Sequence, residues 1–109
     1  MLQARGEVLR AFDEVRQGLE RLHGLPAQRL YAVRARLTLY EGLLHALRLR
    51  PELARERLQV GIAEARACRD PSLLLGYYLL AGLDGREGSF AEAFGHLAEA
   101  ERVMHIWDV

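Results

Sequence analysis

Along this chain an alanine is repeatedly followed four residues later by a bulky aliphatic residue, and three residues after that by glycine or alanine. Three of the copies, Ala11-Val15-Gly18, Ala54-Leu58-Gly61 and Ala93-Leu97-Ala100, have starts 43 and 39 residues apart. Self-similarity at a period of this size marks architectures in which one supersecondary unit stacks on the next. Offsets of four and seven share one face of an α-helix, and small residues there let a second helix approach closely. The pattern therefore constrains architecture strongly and names no chemistry.

At 109 residues the chain reads as a single helical-repeat domain, 1–109. A chain of that length buries roughly 60–70% of the surface its unfolded form exposes, enough for a core without staples. Its longest apolar run, Leu73 to Leu83, is eleven residues with two glycines, short of the ~20 that cross a bilayer. It reads as a buried helix, and no membrane partner is expected. The opening MLQARGEVLR lacks the apolar stretch and cleavage site of a secretory signal. A lone cysteine, Cys68, excludes an internal disulfide and fits a reducing compartment, so a cytoplasmic location is expected.

All fifteen basic residues are arginine, and lysine and asparagine are absent. Arginine suits phosphate and carboxylate recognition, but a GC-rich coding bias accounts for the composition more simply. The lack of asparagine, a thermolabile type, is in keeping with a thermophilic source. Fifteen acidic residues balance the arginines to a formal charge of zero. Nucleic-acid binders usually carry a basic footprint, and the whole chain does not.

Helical periodicity and turn residues predict five helices, over about 3–23, 26–49, 51–69, 71–84 and 89–107, and no strand. Val8, Phe12, Val15, Leu19 and Leu22 form the first apolar stripe, closed by Gly24 and Pro26. Leu30, Val33, Leu37, Tyr40, Leu44 and Leu47 form the second. Leu39, Gly42, Leu43 and Ala46 widen it, which predicts packing on two sides. Pro51 suits the first turn of the third helix, and Asp70 with Pro71 suits the start of the fourth. The stretch from Asp84 to Gly88 reads as a loop, after which Ser89 and Glu92 make a capping-box signature.

These helices resemble tetratricopeptide repeats, in which helix A carries a small residue and helix B a small–large–small triplet. With Gly42 as the helix-A residue, Ala54, Leu58 and Gly61 take the triplet without a gap. In the last unit Gly88, Phe90, Ala93, Leu97 and Ala100 match the second half. Tyr77 and Ala81 also fit, whereas Asp84 stands where the family usually has an aromatic residue. No proline follows the final helix B. The spacing near 40 is similar to that of divergent repeats in MalT-like bacterial transcription regulators. The resemblance implies an all-α fold of antiparallel hairpins stacked as an α-solenoid with a right-handed superhelix. It also implies that an inner groove binds a protein or peptide partner, with no catalysis and no cofactor. Groove positions carried over are Arg36, Leu39, Leu43 and Ala46, then Leu75, Tyr78 and Gly82. Of these Arg36, Leu39, Leu43 and Tyr78 are the candidate partner-binding residues.

Other candidates read more simply as structure. His96 and His105 are nine residues apart, outside the i, i+4 register of a helical zinc pair. His23 suits a helix C-terminus and His45 an aromatic position in helix A, while Cys68 continues a small-residue face. Asp13-Glu14, and Asp84 with Glu87, read as solvated faces or caps, and the two glycines before the last helix as a turn. Arg34, Arg36, Arg48, Arg50, Arg55 and Arg57 form the one basic concentration. A DNA-binding helical domain is the minor alternative they raise. A small-molecule (inducer) sensing domain of a regulator is the main alternative to an interaction module. Phe94, Leu97, Met104 and Trp107 keep the last helix apolar where a solenoid end is normally polar. Self-association there, as a homodimer, is expected.

Overall fold

In a computed structural model, residues 2–20 and 27–108 are described, and they form five α-helices with no strand among them. These are α1 (Leu2–Glu20), α2 (Ala27–Leu47), α3 (Pro51–Cys68), α4 (Ser72–Arg86) and α5 (Phe90–Trp107). The expected ends near Leu22, His23, Gly24 and Pro26 lie outside the described residues. Pro51 opens α3 as its ring predicts. The Asp70 carboxylate accepts the Ser72 backbone N–H at 3.1 Å, which is the cap expected of it.

Two turn expectations need correction. Ser89 stands at the N-cap of α5, but its hydroxyl makes no capping bond, so the capping box is not formed. Its own N–H instead donates to the Asp84 carbonyl at 2.8 Å. That bond belongs to the close of α4, which runs through Asp84 to Arg86 rather than yielding to a loop. Leu49 and Arg69 turn the chain after α2 and α3 with φ of 57° and 53°. That left-handed conformation is one β-carbon residues enter at a cost of about 1–2 kcal/mol. This is why the α2–α3 turn carries no glycine signal in the sequence.

Each helix packs on the next, and α2 also packs on α4. The core gathers where α2, α3 and α4 meet: Ala35, Leu39, Ala54, Leu58, Ala65 and Leu73 have no solvent exposure. Two leucine–glycine contacts set the α2–α3 distance. A Cβ at Gly42 would meet Leu58 Cγ at 2.8 Å and the Leu58 backbone nitrogen at 3.2 Å. A Cβ at Gly61 would meet Leu39 Cγ at 2.7 Å and the Leu39 nitrogen at 3.2 Å. On α4, Gly76 receives Ile62, and Leu39 lies 3.0 Å from where its Cβ would be. In α1, Gly18 faces Leu37 in the same manner at 3.3 Å.

The repeated triplet thus works fully in α3, where Ala54, Leu58 and Gly61 are all buried. In α5 only Ala93 and Ala100 are buried, and Leu97 remains 38% exposed. The second stripe also departs from expectation. Tyr40 and Leu47 are half-exposed and Leu44 is buried, while Leu39 and Gly42, read as its widening, are buried as well.

Substitution of Gly42 by alanine is expected to destabilise the fold by about 1–3 kcal/mol, because a backbone nitrogen cannot move aside as a side-chain tip can. Gly82, with nothing within 4 Å of its Cβ position, is the control, and alanine there is expected to gain up to about 1 kcal/mol. Urea midpoints of the two variants check this; equal shifts would rule out close approach as the role of Gly42.

Candidate functional site

The four candidate partner residues do not form one open face. Leu39 is wholly buried against α3 and α4, so it is a core residue and offers nothing to a partner. Arg36 is committed to Asp70: Nη2 donates to Oδ1 at 2.8 Å and Nε to Oδ2 at 3.1 Å. This bidentate pair ties α2 to the start of α4 while leaving part of the guanidinium in solvent. Leu43 is half-buried in a shallow groove shared with Tyr40 of α2 and Ala11 and Val15 of α1. Tyr78 is half-exposed, and its hydroxyl lies 3.9 Å from Met104 Sδ. Of the expected groove residues on α4, Leu75 and Gly82 share its exposure.

The four self-association residues of α5 differ in exposure. Phe94 is 69% exposed and Leu97 38%, and Phe90, one turn earlier, is 62% exposed. Trp107 packs against the core cluster, with the Arg69 guanidinium 5.5 Å from its ring centroid. Met104 is half-buried beside Tyr78. The open apolar face is therefore Phe90, Phe94 and Leu97.

A buried polar cluster joins α3, α4 and α5. Asp84, read from the sequence as part of a solvated pair, is 2% exposed. Its Oδ1 lies 2.8 Å from Arg55 Nη1, and its Oδ2 lies 2.6 Å from His96 Nδ1. Arg55 also donates to Glu87 Oε2 at 3.1 Å, and the His96 ring stacks on Tyr77 at 6.1 Å. Arg66 in turn hydrogen-bonds the Tyr77 hydroxyl. The signal for this cluster is present in the sequence: Tyr77, Leu80 and Asp84 are spaced three and four, which puts one carboxylate on an apolar helix face. A buried carboxylate needs partners, and a cation one helix away supplies the first. An Asp–His pair is also the orienting half of a hydrolytic triad. Among the described residues, however, the His96 ring makes no hydrogen bond to a serine, threonine or cysteine. The arrangement serves as a cross-link between helices.

The arginine concentration is largely consumed in the same way. Arg34 faces Glu64, Arg36 Asp70, Arg55 Asp84 and Arg57 Glu56. Cys68 is half-buried, and its thiol lies 3.6 Å from the Ala65 carbonyl. Among the described residues no group of three or more His, Cys, Asp or Glu side chains is placed to hold a metal ion. No described helix is long and apolar enough to cross a membrane. Comparison with protein-family models, curated proteins and solved structures finds no match to the chain.

Asp84→Ala is expected to cost about 2–3 kcal/mol. That is below the 3–5 kcal/mol of a fully buried broken pair, because Arg55 and His96 each keep about 30% exposure. Denaturant titration checks it, and a cost under about 0.5 kcal/mol would mean the cluster is not a cross-link.

Asp70 carries a pH dependence. The Arg36 hydrogen bond holds its carboxyl below the usual range, against its burial. Because the folded value lies below the unfolded value near about 4, the stabilisation is present at neutral pH and lost as pH falls through the folded value. Asp70→Asn should therefore be less stable than the parent at pH 7, with the gap narrowing as pH falls below the ordinary aspartate range. Thermal midpoints across pH measure it, and a gap constant with pH would exclude the linkage.

Proposed function

We propose that this chain is a non-catalytic protein–protein interaction module, built of antiparallel helical hairpins stacked in the manner of tetratricopeptide repeats. The order of contacts supports the stacking. Phe12 meets His45 while Gly18 meets Leu37; Gly42 meets Leu58 while Leu39 meets Gly61; Asp84 meets His96 while Tyr78 meets Met104. In every pair the numbers rise on one helix as they fall on the other. The relation to bacterial transcription regulators, and a cytoplasmic place of action, rest on the sequence features alone.

One observation carries the interaction reading. A shift of 39 residues superposes the triplet of α3 on that of α5. It also carries Arg55, Ile62 and Arg66, the α3 residues that receive α4 at Asp84, Gly76 and Tyr77, onto Phe94, Glu101 and His105. Those three are exposed. The face that holds a helix in one unit is thus repeated in the next with nothing described upon it, and with a phenylalanine where the first has an arginine. Phe94 there stands with Phe90 and Leu97 in an exposed apolar patch beside the polar Glu101 and His105; such a patch suits a helix partner, and we assign a second copy of the chain to it.

Sedimentation equilibrium from micromolar to millimolar concentration tests this reading, with a monomer–dimer equilibrium expected. Phe94→Glu should shift it towards monomer by about tenfold or more in Kd while leaving helicity unchanged. A parent chain that stays monomeric throughout would overturn the assignment. The alternative reading, a small-molecule sensing domain, is favoured by a separate feature at the other end of the helix order.

A further inference from the structure

Between α1 and the C-terminal part of α2 lies a cleft of about 440 Å³, within the size range of small-molecule sites. Leu9, Phe12 and Val15 give it an apolar side, and Arg16, Arg48 and Arg50 bring three guanidinium groups to it. Among the described residues none of those three has a carboxylate within 4 Å, in contrast to Arg34, Arg36, Arg55, Arg57, Arg66 and Arg102. The opposing charges lining the cleft are Asp13 and Glu41, so one positive charge is in surplus.

His45 sits at the centre of this arrangement. Its ring lies 4.8 Å from that of Phe12, its Nε2 is 3.7 Å from Glu41 Oε1, and its buried Nδ1 has no hydrogen-bond partner among the described residues. Burial first, then the charges of Arg50 and Arg48, hold His45 below its usual pKa against the pull of Glu41. The imidazole is therefore neutral at pH 7, and the cleft's positive field comes from the arginines. Arg48 lies over the Phe12 ring, 5.5 Å from its centroid. A guanidinium held on an aromatic face keeps its N–H edge for a second partner.

We propose that this cleft binds a small amphipathic monocarboxylate, its apolar body against Phe12, Leu9 and Val15 and its carboxylate on Arg48 and Arg50. Guanidinium–carboxylate pairing is bidentate and charge-assisted, and a single surplus charge matches a monoanion better than a phosphate dianion. The apolar side excludes a purely ionic ligand as the best fit. The site is independent of the α5 face, since α1 packs on α2, whereas α5 packs on α4 and meets α3 through Arg66 and Glu99.

Octanoate is the probe, with octanol and inorganic phosphate as its uncharged and tail-less counterparts. Calorimetry on the full chain should give saturable one-to-one octanoate binding, with octanol and phosphate each weaker by about tenfold or more. Saturation should also raise the His45 pKa followed by NMR, because a carboxylate beside the ring favours its charged form. The double variant Arg48→Gln with Arg50→Gln should weaken octanoate by about tenfold or more, with far-UV circular dichroism and dimerisation unchanged. Phe12→Leu, which keeps an apolar wall, should weaken it less. Absence of saturable octanoate binding, equal binding of octanol or phosphate, or a His45 pKa that does not move would each overturn the proposal. None of those results bears on the dimer, so the two readings fail separately.

Discussion

The reciprocal seating of Leu39 on Gly61 and Leu58 on Gly42 is the contact on which the rest of the structure depends. With no Cβ at either glycine, each leucine approaches the facing backbone, and α2 and α3 come close along their middles. Leu39 reaches further, to Gly76 of α4, so one side chain sets the spacing of three helices. The polar contacts follow from that spacing. Arg36 reaches Asp70 and Arg55 reaches Asp84 because the helices carrying them are already held close. Interiors packed at crystal-like density transmit such constraints with little slack.

An all-arginine set of cations suits this design. A planar, permanently charged fork can pair in two places at once, and Arg55 does so with Asp84 and Glu87. Arg66 likewise joins Tyr77 and Glu99. The helices are therefore linked twice, by a leucine–glycine interior and by an arginine–carboxylate lacing at its margin. The margin contributes less per contact, because its cations remain partly in water. Its geometry nevertheless favours one register between neighbouring helices.

The two ends of the helix order differ in kind. At α5 the packing surface continues as Phe90, Phe94 and Leu97 with nothing described over it. At α1 the packing is looser: its described side chains are at most half-buried, and a cleft with unpaired guanidinium groups among the described residues opens against α2. An apolar face offers area without direction, whereas a cleft with charge at one side and apolar surface at the other offers both. This contrast is the physical basis for assigning a helix partner to one end and a small anion to the other.

Periodicity, proline and glycine determined the helices: apolar residues at spacings of three and four appear in all five, and Pro51 and Asp70 begin α3 and α4 as their chemistry requires. The triplet of small and large residues also marked α3 correctly as a close-packing helix. These are local properties, set within one or two turns of chain. The same local reasoning misassigned Asp84 to a solvated face or cap, and the positions carried over from the repeat resemblance put Leu39 in a groove. Whether a position on a stripe meets solvent, a glycine or an arginine depends on which helix lies across it. Only the tertiary arrangement brought Arg55 and His96 to Asp84, partly covered Met104 and Trp107 while leaving Phe94 and Leu97 exposed, and left Arg48 and Arg50 facing a cleft. A helix stripe is wider than one neighbour can cover, so the sequence by itself determined which residues are apolar and which helices they form. The choice of the neighbour that covers each one belonged to the fold.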